Sequence, residues 1–474
     1  MTTSKSISLN AACLVLLLSC GGRVCGQQAP ALGLTLYSEK ACEGYTLFAP
    51  KHYTDTYLID NQGQVVHSWT GSQYEPGQTV YLLENGHLMR SCMVKGQLSS
   101  GGGEGGRIEE YDWDGNLVWQ LDFSTAQYMQ HHDFKPLPNG NVLLLAVEKK
   151  TYNEAVAAGF DPSKFQPEVQ SRGYMLPDFC VEIKPTRPVG GIVVWEWRVW
   201  DHLIQDSFPT KFNYGNVGAH PELVACAADG NRIPAFWNHM NAIYYNEALD
   251  QIMLSVRGNS EVWVIDHNTT TAEAAGHTGG RHGKGGDLLY RWGNPAMYRA
   301  GTANDRRLYQ QHDAHWIDAN CPGAGNMMVF NNGLGRNYST IDEWTPPVDA
   351  NGVYTRTAGQ AFGPADFVWT YKADPPSSLY SGAISSAQRL PNGNTLICDG
   401  VHGVFLEVTA LGETVWRYVN PVVRTGPLAQ GSEIPPDPAR AGEYMNAVFK
   451  VYRYTPDYPG LADRDLTPKG TVEL

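Results

Sequence analysis

The sequence predicts an all-β protein, a six-bladed β-propeller with its last blade closed by N- and C-terminal strands. Three observations predict it. A short strand carrying large rings at alternate positions recurs six times. A turn built on Asn-Gly recurs ahead of that strand, in Leu83-Glu84-Asn85-Gly86, Leu137-Pro138-Asn139-Gly140 and Leu390-Pro391-Asn392-Gly393. The 474 residues include 50 Gly, 29 Pro and 11% aromatics, a composition that suits many short strands and turns rather than long helices.

The recurring ring-bearing strand reads Val65-Val66-His67-Ser68-Trp69, then Leu117–Leu121, Val193–Trp197, Leu288–Trp292, Phe367–Tyr371 and Thr414–Tyr418. Alternation of rings and polar residues in short runs marks a strand. Pairs such as Asp114-Gly115 turn hairpins because glycine supplies positive φ. Four antiparallel strands repeated about an axis describe a propeller blade. Five units span Thr79–Phe123, Gln130–Val199, Phe236–Gly293, Gln310–Lys372 and Ala383–Val419. The sixth ring-bearing strand has no inner strand before it. The C-terminal run Ala447–Tyr454 supplies one, with Gly44–Trp69 forming the outer part. Such closure removes exposed sheet edges. The propeller is expected over 33–461, with a C-terminal tail at 462–474. Trp119, Trp195, Trp369 and Trp416 are expected to pack blade against blade. Long insertions at about 152–177, 201–233, 272–286, 298–308 and 331–363 are expected to cover one face. Gly101–Gly106 and Gly276–Gly286 read as loops. The second contains Gly283-Lys284-Gly285 with no Ser or Thr after the lysine, so it is not a phosphate-binding P-loop.

A formal charge of −13 argues against a nucleic-acid partner, whose phosphates are met by Lys and Arg. Residues 1–26 read as a signal peptide. Lys5 is the only early charge, and Ile7–Leu18 is a mostly apolar run too short to span a membrane. Two processing readings stand. Leu17-Leu18-Ser19-Cys20 resembles a bacterial lipobox, which would lipidate Cys20 and provide the chain's only membrane contact; alternatively cleavage falls near Gly26. Either way the mature chain is expected in the periplasm or outside the cell. Six cysteines remain there, at 42, 92, 180, 226, 321 and 398, which allows up to three disulfides. No CxxC occurs, so a thiolate zinc site is not expected.

Inner strands line the channel of a propeller. His132 lies eight residues before the turn glycine Gly140; the same offset from Gly393 gives Ser385, and from Gly86 gives Gln78. His239 and His312 begin comparable strands. Three blades therefore set imidazoles at the channel mouth. Strand alternation is expected to turn His131 and His315 away from it. Arg257 lies on the second strand of the His239 unit, where a guanidinium is costly to bury unless it meets an anion. Three imidazoles and a guanidinium suit an oxyanion and transfer of a phosphoryl- or sulfuryl-type group, in which positioning and electrostatics dominate. A histidine, titrating near ~6.5, can act as nucleophile at neutral pH. Asp133 and Asp313 could orient the imidazoles or end strands by bonding to the backbone. His277, Arg281 and His282 are expected to be solvated, and Arg306-Arg307 to lie on the surface.

These residues resemble the bacterial arylsulfate sulfotransferase family, exported six-bladed propellers. The resemblance rests on His132-Asp133 before a Pro-Asn-Gly-Asn turn, His239-Met240-Asn241 with Arg257 on the next strand, and Gln311-His312-Asp313, in that order. It implies transfer of a sulfuryl group from an aryl sulfate donor to a phenolic acceptor, ping-pong, with no nucleotide sulfate donor, cofactor or metal. By the same resemblance His312 is the nucleophile and forms a transient sulfohistidine. Arg257 and His239 bind the sulfuryl oxygens, and His132 assists at the phenolic oxygen. The oligomeric state is left open. Two other readings of the same residues stand: a metal-dependent propeller enzyme using the three channel histidines, and a non-catalytic binding propeller.

Overall fold

Six four-stranded antiparallel sheets form the blades of a propeller in this computed structural model, which describes Met1 and residues 31–474 apart from 96, 97, 99–101 and 227–231. The expected signal peptide and Cys20 lie outside the described residues, apart from Met1. From the channel outward, blade 1 is Pro76–Leu82, Leu88–Met93, Gly106–Tyr111 and Leu117–Asp122, and blade 2 is Tyr128–Pro136, Val142–Glu148, Asp178–Pro185 and Gly191–Arg198. Blade 3 is Met240–Asn246, Gln251–Val256, Glu261–Asp266 and Tyr290–Trp292; blade 4 is His312–Trp316, Met327–Asn331, Thr340–Trp344 and Trp369–Tyr371. Blade 5 is Ser386–Arg389, Thr395–Asp399, Val404–Val408 and Thr414–Val419.

Blade 6 joins the chain's two ends as expected. Its inner strand Val448–Tyr454 pairs with Tyr45–Pro50, Leu47 opposite Tyr452, and Thr56–Ile59 and Val65–Trp69 complete it. A second latch was not foreseen. Gly33–Tyr37 adds a fifth strand to blade 5, with Leu34 opposite Tyr418, before the chain crosses into blade 6. The segment after Leu461 returns along blade 6: Val65 N donates to Gly470 O, Lys469 N to Val65 O, and Val472 is buried.

Ring–polar alternation gives the outer strands one face of indoles, and that face seals each blade to the next. Trp119 Nε1 donates to Gly190 O at 2.8 Å, Trp195 to Thr269 Oγ1 at 3.0 Å, Trp292 to Pro364 O at 2.8 Å, Trp369 to Ala410 O at 2.9 Å, Trp416 to Asn61 O at 2.8 Å and Trp69 to Asp112 O at 3.0 Å. Every acceptor sits in the connection to the outermost strand of the following blade. Each such ring adds buried apolar area and satisfies its polar handle, as a buried indole requires.

The disulfide expectation does not hold. All six cysteines are free and buried. Cys92, Cys180 and Cys398 lie in the sheets of blades 1, 2 and 5, Cys42, Cys226 and Cys321 lie outside the strands, and four satisfy their thiols on other groups: Cys92 Sγ on Glu109, Cys226 on Ala158 O, Cys321 on Arg389 O and Cys398 on Val448 O. Among the described residues no helix is long and apolar enough to cross a membrane.

Candidate active site

The inner strands are not regular where they reach the mouth. Gln78, His132 and Ser385, the three positions eight residues before a turn glycine, all have left-handed φ, at 130°, 49° and 88°. His239 (49°) and both Gln310 and Asp313 (58°) repeat the kink in blades 3 and 4. Pairing with the second strand slips at the same level, between Pro76 and Val80, Leu144 and Ala146, Met240 and Ala242, and His312 and His315. Such bulges re-aim side chains at barrel and propeller rims. A left-handed non-glycine residue costs on the order of 1–3 kcal/mol and persists only where surrounding structure fixes it.

The kink overturns one expectation. His131 does not point away. With His132 in the left-handed region the alternation breaks, and His131 Nδ1 lies 2.8 Å from His132 Nδ1. On its far side His131 Nε2 is 3.0 Å from Asp178 Oδ1, off the ideal hydrogen-bond angle, and both groups are fully buried. With the Asp178 carboxylate facing Nε2–H of His131, His131 Nδ1 accepts from His132 Nδ1–H. That leaves the Nε2 lone pair of His132 for the channel. The adjacent His-His pair was visible in the sequence, but the backbone kink that makes it a relay was not.

Around this relay the predicted residues come together. The rings of His132 and His239 are 5.0 Å apart. Phe236 stacks on His239 at 4.3 Å, and Phe449, from the C-terminal inner strand, lies 5.8 Å from His132 and 6.2 Å from His312. Arg257 is tied to this cluster through its backbone, N donating to His239 O at 3.2 Å. Among the described residues no carboxylate pairs with its guanidinium, and burial lowers it to about 10. An enclosed cation without a carboxylate partner calls for an anion.

His312 is 2% exposed, and its Nδ1 lies 2.8 Å from Asn332 Oδ1. The Asn332 amide cannot turn over, because its Nδ2 donates to Ser381 O at 2.7 Å and Ile384 O at 2.9 Å. Asn332 Oδ1 must therefore accept, His312 carries its proton on Nδ1, and Nε2 keeps its lone pair. Burial first, and Arg257 second, lower His312 to about 3. Burial likewise holds His132 and His239 well below the usual imidazole range; His239 reinforces this at His132, and Arg257 at His239. All three imidazoles are neutral at pH 7.

Asp133 and Asp313 neither orient imidazoles nor merely end strands. Their carboxylates clamp Lys450 Nζ, each at 2.7 Å, in the middle of the channel. Asp133 also accepts from Ile243 N at 3.1 Å, and Asp313 from Ala387 N at 3.1 Å. This plug joins blades 2, 3, 4, 5 and 6 at one point. Burial alone would depress the Lys450 ammonium, but the two carboxylates hold it well above its ordinary range. The Gly-rich loop also has a role the sequence did not reveal. Gly103 O accepts from His132 N at 2.7 Å, and a Cβ at Gly103 would come within 2.0 Å of the His132 ring.

The other residues singled out in the sequence lie elsewhere. His315 is on the far side of the plug, Nδ1 bonded to Asp313 O at 2.8 Å. Arg307 Nε donates to Ala365 O, Arg281 Nη1 to Leu249 O, and His277 bonds Asp287, all outside the mouth. Among the described residues, the His, Cys and carboxylate donors grouped within 4.8 Å as for a metal are those of His202, His277 and Asp287, not the channel histidines. Both ring nitrogens of His202 are already engaged, by Asp287 and by Ala274 O.

Residues 33–423, well over half the chain, match the family model described as Arylsulfotransferase (ASST). No curated protein matches. Among solved structures, a protein of unknown function from Bacteroides caccae is 12% identical with a TM-score of 0.42, covering 87% of this chain and 99% of its own. A functionally unknown protein from Desulfotomaculum acetoxidans is 8% identical with a TM-score of 0.39, covering 87% and 100%. Kuenenia stuttgartiensis hydrazine synthase is 12% identical with a TM-score of 0.36, covering 66% and 71%.

Proposed function

The chain belongs to the arylsulfotransferase family, and from that premise we propose that it moves a sulfuryl group from an aryl sulfate to a phenol by way of a sulfohistidine at His312. Membership makes it a sulfotransferase acting on small aryl sulfates and phenols; the covalent route and the residue roles are our reading. The observation that carries it is the Asn332 bond, which sets the His312 proton on Nδ1, while burial and Arg257 keep the ring neutral with a bare Nε2. In the first half-reaction the Nε2 lone pair attacks sulfur, the S–O(aryl) bond breaks, and the pair leaves on the phenolic oxygen. Arg257, and His239 beside it, meet the sulfuryl oxygens, where charge spreads in transfer. The negative charge of the bound sulfate ester favours a protonated His132, which takes up a proton on Nε2 from water and gives it to the leaving oxygen. His131 and Asp178 behind it stabilise the imidazolium, as a carboxylate behind a catalytic histidine does.

In the second half-reaction a phenol enters. His132 takes its proton, the phenolic oxygen attacks sulfur, and the S–N bond breaks to restore neutral His312. Protons and charge balance over the cycle, which therefore needs no cofactor. Phe236 and Phe449 give the aryl ring an apolar seat. We also place the mature protein outside the cytosol, on the strength of residues 1–26; fractionation of cells expressing the full chain tests this. The metal reading is disfavoured by Arg257, whose charge repels a divalent ion. Incubation with 4-nitrophenyl sulfate, with and without phenol, tests the proposal. Phenol-dependent nitrophenolate release is expected from the wild type and none from His312→Ala.

A further inference from the structure

The channel has a second end. All six inner strands run the same way, from the histidine mouth through the plug to a cavity of about 950 Å³ on the opposite face. Along blade 2 the order is His132, Asp133, Lys135; along blade 6 it is Phe449, Lys450, Tyr452, Tyr454. The ion-paired Lys450 separates the two spaces, and none of His132, His239, Arg257 and His312 lines this cavity.

Its cations are almost all satisfied. Arg389 is paired with Glu343 at 2.6 Å, Arg453 with Glu407 at 3.2 Å and Arg187 with Glu110 at 2.5 Å. Lys135 is the exception. Among the described residues no carboxylate pairs with its Nζ, which rests on the rings of Tyr244 at 4.3 Å and Tyr81 at 5.1 Å. The nearby Asp318 is occupied by the hydroxyl of Tyr244. Burial lowers the Lys135 ammonium, opposed by Asp318. One wall is a ladder of rings: Tyr81 to Tyr452 at 5.1 Å, Tyr452 to Tyr454 at 6.5 Å, Tyr454 to Tyr458 at 4.6 Å. At the rim Glu84 and Glu247 are exposed.

We propose that this cavity is a second ligand site, separate from the histidine mouth, which takes a small organic monoanion carrying a flat ring. The anion meets Lys135, the one ammonium in the cavity left to aromatic faces. The ring lies on the tyrosine ladder, in the offset geometry that such rings favour. The rim carboxylates repel more highly charged ligands. The site is independent of the sulfuryl-transfer reading and holds whether or not His312 is a nucleophile.

Calorimetric titration with 2-naphthoate at pH 7 tests it, on wild type, Lys135→Met, Tyr244→Leu and Arg257→Ala, each checked for fold by circular dichroism. One equivalent is expected to bind this cavity with the same affinity in the wild type and in Arg257→Ala, and any second equivalent taken by the histidine mouth of the wild type is expected to be lost in Arg257→Ala. Binding is expected to be at least tenfold weaker in Lys135→Met and in Tyr244→Leu, and uncharged 2-naphthalenemethanol is expected to bind the wild type at least tenfold more weakly. Were Lys135→Met not to fold, Tyr244→Leu alone decides. Wild-type affinity in a folded Lys135 or Tyr244 variant, loss of all binding in Arg257→Ala, or no binding at millimolar naphthoate would each overturn the assignment.

Discussion

The outer ring of the propeller repeats six times, and the inner ring does not. At the rim every blade places an indole against the next blade's outer connection, and all six Nε1 atoms find an acceptor there. At the channel, blades 1 to 5 share a left-handed kink at one level, yet the kinked segments carry Gln78, His132, His239, the residues flanking His312, and Ser385. Blade 6 contributes Phe449 and Lys450 instead. The repeated feature is architectural, because every blade must close on its neighbour. The unrepeated one is chemical, because a single substrate meets each blade once. A substitution at the rim should therefore change stability alone, and one at the mouth should change turnover.

The largest effect is expected of His312→Ala, in which turnover should fall on the order of 10⁴-fold or more, as when a nucleophile is removed, with the melting temperature little changed. Lys450→Met tests the plug between the two rings. It strands Asp133 and Asp313 as buried carboxylates, and a loss of about 3–5 kcal/mol is expected in chemical denaturation. Arg257→Ala is expected to lower kcat/KM by about 10²–10³, as for removal of one donor to a developing oxyanion. Because Arg257 has no protein anion to abandon, stability should not suffer.

Acid separates the rings by another route. His132, His239 and His312 are held neutral, His312 down to about 3, so the unfolded chain binds protons that the folded one refuses. Their stability contribution is intact above ~6.5 and is lost as pH falls from there towards the folded values, by about 1.4 kcal/mol per pH unit per histidine. The slope of stability against pH between 6 and 4 should drop by about one proton in His312→Gln and be unchanged in Trp119→Phe. The smallest effect belongs to the rim: Trp119→Phe removes one hydrogen bond to Gly190 and is expected to cost about 1 kcal/mol, with wild-type nitrophenolate release.

How much of this was legible in the sequence follows the same division. Blade count, strand order and the shared sixth blade were written in the repeats, since ring–polar alternation and Asn-Gly turns are local signals. The four residues at the mouth were legible too, by counting back from the turn glycines and from the motifs around them. The relay was not: His131 joins His132 only because the backbone there is left-handed, and alternation assigns it to the wrong side. Asp178 reaches His131 from the third strand of blade 2 and Asn332 reaches His312 from just past the second strand of blade 4, with no motif around them. Lys450 meets Asp133 and Asp313 across more than a hundred residues of chain, and the Gly33–Tyr37 latch pairs with a strand almost four hundred residues later. The cysteines misled because an even count permits bridges, while the fold leaves all six as free, buried thiols.

The covalent route is tested most directly by quenching the wild-type enzyme after incubation with 4-nitrophenyl sulfate without acceptor, digesting at alkaline pH, and locating the added mass by peptide sequencing. One sulfuryl group is expected on the peptide containing His312, discharged on addition of phenol and absent from His312→Ala. A turnover-competent enzyme that carries no adduct, or carries it on another residue, would contradict a sulfohistidine at His312.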